Sequence, residues 1–171
     1  MENEGDTGAV DWARLAGEAV NAQPERADPD LEPLGHDDVA AGVAAITVTR
    51  TDLLRLVEEA GPGALQRRES GGDGWTVGRV LLHIAGGELF FLNRLGLADR
   101  LPEEAKRDDP LQVLDETRRQ VLNELNTLDE EWLSKVVEAD GEAWTLRKVL
   151  RRLQEHEAEH LKRVRSVLVA E

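Results

Sequence analysis

Apolar residues recur every three or four positions in four long segments of this chain, the spacing that places them on one face of an α-helix. Stretches containing Gly or Pro separate four predicted helices, at about residues 37–60, 76–95, 110–128 and 145–169. The β-branched run at residues 46–49 favours a strand locally, but it has no evident partner strand, so we predict helix there too. Four helices without firm strands predict an all-α fold, an antiparallel four-helix bundle.

The composition changes near residue 35. Residues 1–35 are acidic and contain three of the six prolines, which predicts a partly flexible N-terminal extension with a short helix at residues 11–21. The bundle domain is expected to span residues 36–171. Within it, residues 129–137 are expected to form a separate short turn that carries Trp132.

One seven-residue pattern occurs twice, at an offset of 69 residues. It reads Trp-Thr-Val-Gly-Arg-Val-Leu at 75–81 and Trp-Thr-Leu-Arg-Lys-Val-Leu at 144–150. In both copies the threonine is a predicted helix N-cap, and the tryptophan is expected to pack as an anchor just outside the helix. Because shared helix-start chemistry also produces such matches, the pattern alone does not establish a duplicated fold.

The net charge of −14 excludes several classes of partner. Nucleic-acid binding requires a basic surface, and an acidic chain docks poorly on anionic membranes, so neither partner is expected. The N-terminus lacks the features of a signal peptide and no apolar run has transmembrane length, so we expect a cytoplasmic protein. Cysteine is absent, so any metal must be bound by His, Asp or Glu.

Three of the four histidines lie on predicted inward faces of two helices. His156 and His160 are four residues apart and leave the same side of the last helix, while His83 borders the apolar face of the second. Three neutral imidazoles suit Zn²⁺, Ni²⁺ or Fe²⁺ and leave coordination positions open for chemistry. The alternative is a polar helix face that binds no metal. His36, beside two aspartates, is expected to be solvated.

The string His156-Glu157-Ala158-Glu159-His160 also fits the zinc-protease motif, in which the first glutamate acts as general base. That motif requires a third ligand downstream, and no histidine follows His160. No strand is evident to hold a peptide substrate either. Proteolysis is therefore only a remote alternative.

The order and separation of these motifs resemble those of the DinB/YfiT-like superfamily. Residues 75–85 and 88–95, which include Trp75-Thr76 and His83, are similar to its first signature. Residues 144–150 and 156–160, which include the paired histidines, are similar to its second. The resemblance covers about residues 38–170.

This resemblance implies a four-helix bundle with an up-down-down-up course, often assembled as a homodimer. It implies a divalent metal at His83, His156 and His160, with Zn or Ni favoured and Fe or Mn as alternatives. Characterised relatives include thiol-dependent transferases and isomerases. Two features depart from the family pattern: the acidic extension, and Gly86-Gly87 in a helix where relatives more often carry a helix-favouring residue.

Two functions follow from this reading. The first is a metal-dependent enzyme that acts on a small molecule, either as a transferase using a low-molecular-weight thiol or as a hydrolase. The second is a non-enzymatic metal-binding or stress-response protein. No catalytic residue is assigned: Glu88 and Glu157 are candidate acid–base groups, but the residues themselves favour solvated or salt-bridging roles.

Overall fold

The computed structural model describes residues 28–70, 74–97 and 109–169. The short helix predicted at residues 11–21 lies outside these ranges. Four α-helices form the described part of the fold: α1 (His36–Glu59), α2 (Val77–Asn93), α3 (Pro110–Thr127) and α4 (Leu146–Leu168). The all-α bundle is therefore confirmed. The β-branched run at 46–49 is helical, as predicted, within α1.

The helix starts follow from their capping residues. The hydroxyl of Thr76 accepts a hydrogen bond from the backbone N–H of Arg79, and that of Thr145 accepts one from Lys148, each at 3.1 Å. α3 begins with Pro110 directly after Asp109, whose carboxylate accepts from two backbone N–H groups of the first turn. These are the side chains that satisfy unpaired donors at a helix N-terminus.

The course of the chain is up-down-down-up. α1 runs parallel to α4, since Gly42 lies against Leu150 and Arg50 binds Glu157. α2 and α4 run antiparallel, because Trp75 at the start of α2 lies beneath the guanidinium of Arg163, near the end of α4. α2 in turn runs parallel to α3. Antiparallel packing of α2 and α4 brings their middles together, where His83 and the paired histidines lie.

A β-hairpin that was not predicted from the sequence precedes the last helix. β1 (Val136–Ala139) pairs antiparallel with β2 (Glu142–Thr145). Asp140 and Gly141 connect the strands and both have positive φ, 55° and 79°. An Asp-Gly pair with this backbone is the preferred two-residue hairpin turn. The predicted short turn is present as a 3₁₀ turn, Glu130–Leu133, which carries Trp132.

Residues before α1 pack on the hairpin and on α4. A 3₁₀ turn at Asp28–Leu31 places Asp30 in the interior, where its carboxylate pairs with Arg151. The backbone carbonyl of Asp30 accepts a hydrogen bond from the Thr145 hydroxyl. The backbone N–H of Leu34 bonds to the carbonyl of Leu133 at 2.8 Å. The segment from residue 28 to 34 thus makes specific contacts with the bundle.

The two halves of the bundle, α1–α2 and α3–α4, make equivalent contacts. An antiparallel bridge between Arg68 and Thr76 precedes α2, just as the pair Val136 and Thr145 closes the hairpin before α4. Each helix is preceded by a buried tryptophan that carries two cations. Over Trp75 lie Arg79 at 4.2 Å and Arg163 at 4.9 Å. Over Trp144 lie Lys148 at 4.5 Å and Arg94 at 5.9 Å. The short sequence repeat therefore belongs to a pseudo-two-fold relationship between the halves.

No helix in the described part of the chain is both long and apolar enough to cross a membrane.

Candidate metal centre

Three histidine side chains meet between α2 and α4. The Nε2 atom of His156 lies 3.0 Å from Nε2 of His83 and 3.1 Å from Nε2 of His160. The ligand atoms of all three lie within 4.8 Å of one another. The side chains are buried, with 3, 5 and 8% of the residue surface exposed for His83, His156 and His160. The structure thus brings together the three histidines that the sequence singled out.

The surroundings of these rings favour the neutral form of imidazole. Burial lowers the pKa of His156 well below its ordinary value, and the neighbouring histidines and Arg152 lower it further. Burial, His83 and Arg163 lower the pKa of His160 to about 3. A neutral imidazole has one nitrogen lone pair free to bind a metal. At neutral pH His156 and His160 are therefore in the form that coordinates a metal.

The donor set fits a divalent transition metal. Three neutral imidazoles that direct Nε2 at one point repel through their lone pairs unless a proton or a cation lies among them. Imidazole nitrogens at about 2.0–2.1 Å from a tetrahedral metal are separated by roughly 3.3 Å. The observed separations of 3.0 and 3.1 Å are close to that value. The residues present therefore fit a metal held by three histidines, with at least one coordination position left for another ligand.

Gly87 provides the space for the His156 ring. A Cβ atom at residue 87 would lie 2.5 Å from Cε1 and 2.8 Å from Nδ1 of His156, closer than real contacts allow. Both glycines of the Gly86-Gly87 pair are buried inside α2. At residue 87 only glycine leaves room for this ring.

Aromatic side chains enclose the triad. The ring of Trp75 meets His83 edge-on at 5.1 Å between centroids, and Phe91 meets His156 edge-on at 5.8 Å. Arg152 is buried one turn before His156 on α4, and its guanidinium lies 5.8 Å from the Phe91 ring. The triad thus packs against two aromatic rings, with one buried cation nearby on α4.

Glu88 and Glu157 form salt bridges in the interior of the bundle. Both are buried, with 2 and 1% of their surface exposed, and both pair with Arg50 and Arg118. Of the two roles that the sequence left open, solvated or salt-bridging, the structure shows salt bridging. Burying two carboxylates requires matching cations, and the two guanidiniums supply them.

We name Arg50, Glu88, Arg118 and Glu157 the arginine–glutamate quartet; each of the four helices contributes one member. Arg50 donates from Nη2 to Glu88 at 2.8 Å and from Nε to Glu157. Arg118 donates from Nε to Glu88 at 2.8 Å and from Nη2 to Glu157 at 2.6 Å. Burial lowers the pKa of Arg118, but Glu88 and Glu157 outweigh burial and hold that pKa above its ordinary value.

The sequence reading missed both arginines of the quartet. Arg50 lies four residues after Ile46, and Arg118 lies four residues after Leu114, so each occupies a position on the apolar face of its helix. A charged residue at a core position was the available signal. Lys, Arg and Glu are rarely fully buried without a partner. Predicting that these arginines are buried therefore requires knowing which carboxylates face them from the other helices.

Glu157 is therefore not arranged as the base of a zinc protease. Its Oε1 is bound by Arg50 and its Oε2 by Arg118.

The fourth histidine, His36, is exposed at the start of α1, where its ring lies 3.8 Å from a carboxylate oxygen of Glu130. It lies outside the triad, as expected from the sequence.

One comparison with known proteins is informative. A family model described as the DinB superfamily matches residues 45–164, a range that contains the triad and the quartet. No curated protein and no solved structure matches the chain significantly. The matched range covers most of the bundle, and the family's implied fold agrees with the observed one. The chain belongs to the DinB superfamily.

Proposed function

We propose that this protein is a metal-dependent enzyme that holds one divalent ion on His83, His156 and His160. The observation that carries the proposal is the convergence of three buried Nε2 atoms. Nε2 of His156 lies 3.0 Å from Nε2 of His83 and 3.1 Å from Nε2 of His160. Zn²⁺ and Ni²⁺ are the expected ions, with Fe²⁺ and Mn²⁺ as alternatives, because imidazole suits the later first-row metals. When bound, such an ion supplies a Lewis acid that polarises a ligand in its open coordination position.

The protein's own residues orient the ligands and exclude water. Gly87 leaves space for the His156 ring, and Trp75 packs edge-on against His83. The rings of Trp75 and Phe91 shield the imidazoles from solvent, which strengthens electrostatic interactions inside the site. The buried guanidinium of Arg152 favours negative charge nearby. A thiol co-substrate, implied by the family resemblance, would be favoured as its thiolate there.

Cobalt substitution tests the thiol proposal. We expect Co²⁺-loaded protein titrated with 2-mercaptoethanol to develop a near-ultraviolet charge-transfer band from sulfur to cobalt. His83→Ala should lose the band, whereas His36→Ala, which changes an exposed histidine, should retain it. A Co²⁺-loaded wild-type protein whose spectrum does not respond to the thiol would contradict the thiol-dependent reaction. A positive result would justify a screen of small electrophiles for turnover.

A structural metal in a non-enzymatic protein is the second candidate. It is favoured by the burial of all three rings, with at most 8% exposed. In that case the ion should bind tightly and stabilise the fold, yet neither thiols nor other small ligands should alter the Co²⁺ spectrum. The same titration therefore separates the two candidates.

A homodimer also stays a prediction from the resemblance. Light scattering coupled to size-exclusion chromatography should give twice the chain mass of 18.9 kDa. A mass equal to that of one chain would contradict it.

A further inference from the structure

We infer that the arginine–glutamate quartet positions the metal ligands, by fixing the axial register of α2 against α4 at the level of the triad. This inference rests on the proposed function for its relevance to metal binding. The four residues of the quartet are positioning residues, because they act through the helices that carry the histidines.

The two glutamates of the quartet are next to the residues of the metal site along the chain. Glu88 follows Gly87, and Glu157 follows His156. Gly87 and the His156 ring are in direct contact across the helix interface. The quartet therefore holds α2 and α4 together one residue away from the point where the ligand ring touches the facing backbone.

The bonds of the quartet are directional, and each arginine binds both carboxylates. Arg118 donates from Nη2 to Glu157 at 2.6 Å and from Nε to Glu88 at 2.8 Å. Arg50 donates to the same two carboxylates from Nε and Nη2. A slide of one helix by a single residue is about 1.5 Å, which is enough to break bonds that weaken beyond roughly 3.2 Å. Apolar contacts lack this directional requirement. The quartet thus discriminates between registers that the apolar core would tolerate.

The two arginines of the quartet are themselves bound to backbone carbonyls of neighbouring helices. Arg50 donates from Nη1 to the backbone carbonyl of Leu114 at 2.8 Å, and Arg118 donates from Nη1 to that of Ile46 at 2.6 Å. These two bonds join α1 and α3 reciprocally. The guanidiniums are therefore fixed to backbone atoms of α1 and α3. Because they also bind Glu88 and Glu157, they fix the positions of these two carboxylates.

The quartet and the triad differ in how they relate to the pseudo-two-fold relationship between the halves of the bundle. Glu88 and Glu157 are 69 residues apart, the offset of the Trp-Thr repeat, so the quartet follows the symmetry of the bundle. The triad does not follow it, because the positions equivalent to His83 and His156 are Arg152 and Gly87. A symmetric charged scaffold thus supports an asymmetric site, which separates the task of alignment from that of metal binding.

The test uses two charge-balanced variants of the full chain, Arg50→Met/Glu157→Leu and Arg118→Met/Glu88→Leu. Each removes one cation and one anion, and apolar replacement of buried ion pairs is often neutral for stability. Arg118→Lys is a third variant, which retains the charge but loses the fork that binds two carboxylates. Leu125→Ala, two turns beyond Arg118 on the same helix, serves as the control for a general loss of stability.

Two readouts are measured for each protein. One is the Co²⁺ dissociation constant with the visible spectrum of the bound ion. The other needs no metal: the rate at which diethylpyrocarbonate modifies each histidine of the metal-free protein, resolved by mass spectrometry, with exposed His36 as internal standard. We expect the quartet variants to bind Co²⁺ at least about tenfold more weakly, with a changed spectrum, and the triad to react several-fold faster relative to His36.

Several outcomes overturn the inference. The quartet does not position the triad if the variants that fold, including Arg118→Lys, match wild type in three quantities. These are the Co²⁺ affinity, the spectrum of bound Co²⁺ and the histidine modification rates. Equal losses in Leu125→Ala would show that stability alone is responsible. If wild-type protein binds no Co²⁺, the proposed function fails, and the modification rates alone decide the positioning role.

Discussion

The backbone of Gly87 supports the imidazole of His156: a Cβ atom there would lie 2.5 Å from Cε1 of the ring. Gly87→Ala should therefore rotate or displace His156 and weaken metal binding by roughly 10- to 100-fold, as changes to ligand orientation do. The measurement is Zn²⁺ affinity by competition with a chromophoric chelator.

Gly42→Ala is the matched control for this prediction. It makes the same substitution inside α1, where the added Cβ meets only the flexible side chain of Leu150, at 3.2 Å. Both changes raise helix propensity by about 1 kcal/mol, but only the first meets a metal ligand. Equal Zn²⁺ affinity in the two variants and the wild type would refute the role of Gly87.

The depressed pKa of His160 makes the metal-free protein less stable in acid. The folded state takes up this proton near pH 3, whereas the unfolded chain takes it up near its ordinary value of about 6.5. The stability that the neutral His160 contributes is therefore fully present above about pH 6.5 and is lost as pH decreases towards 3. Between pH 7.0 and 5.5 the loss from this residue alone is about 1 kcal/mol.

Urea unfolding in EDTA at pH 7.0 and 5.5 measures this effect. His160→Gln should lose less stability between the two pH values than wild type, by about that amount. His36→Ala, which changes an exposed histidine outside the triad, is the matched control. An identical pH dependence in His160→Gln and wild type would show that His160 is not held neutral.

Removing one charge from the quartet should destabilise the fold strongly. Glu157→Gln leaves two buried guanidiniums with one carboxylate, and breaking a buried pair in this way costs about 3–5 kcal/mol. Glu69→Gln breaks the partly exposed pair with Arg163, and should cost only about 0–1 kcal/mol. Denaturant unfolding of both variants checks the difference; equal losses would contradict the burial of the quartet.

The two threonine caps should differ in their contribution to stability. Thr76→Ala removes one N-cap bond, which costs about 1 kcal/mol. Thr145→Ala removes the equivalent bond and also the buried hydrogen bond to the carbonyl of Asp30. That second loss adds about 1 kcal/mol. Equal midpoints in urea unfolding would indicate that the Asp30 contact contributes nothing.

Local sequence signals predicted the helices well, because capping residues and apolar spacing are properties of neighbouring residues. Thr76 and Thr145 mark helix starts in both the sequence and the structure. The hairpin was missed because its strands have four residues each, too short for a clear alternating pattern, although Asp140-Gly141 is a strong turn signal.

The site was predictable in part, for a related reason. Helical spacing gave the inward direction of His83, His156 and His160, and the structure brings them together. The quartet depends on pairings between residues that are far apart in the chain, such as Arg50 with Glu157, 107 residues away. No local pattern specifies such a partner, so the position of Arg50 on the apolar face of α1 did not by itself identify the quartet.

The central claim is that His83, His156 and His160 together bind one divalent ion, and metal stoichiometry tests it most directly. Purified protein is stripped with chelator, dialysed against Zn²⁺ or Ni²⁺, and analysed by inductively coupled plasma mass spectrometry. We predict one ion per chain for wild type and His36→Ala, and a loss of that ion in His83→Ala, His156→Ala and His160→Ala. A wild-type protein that retains no ion, or alanine variants that retain a full equivalent, would contradict the account.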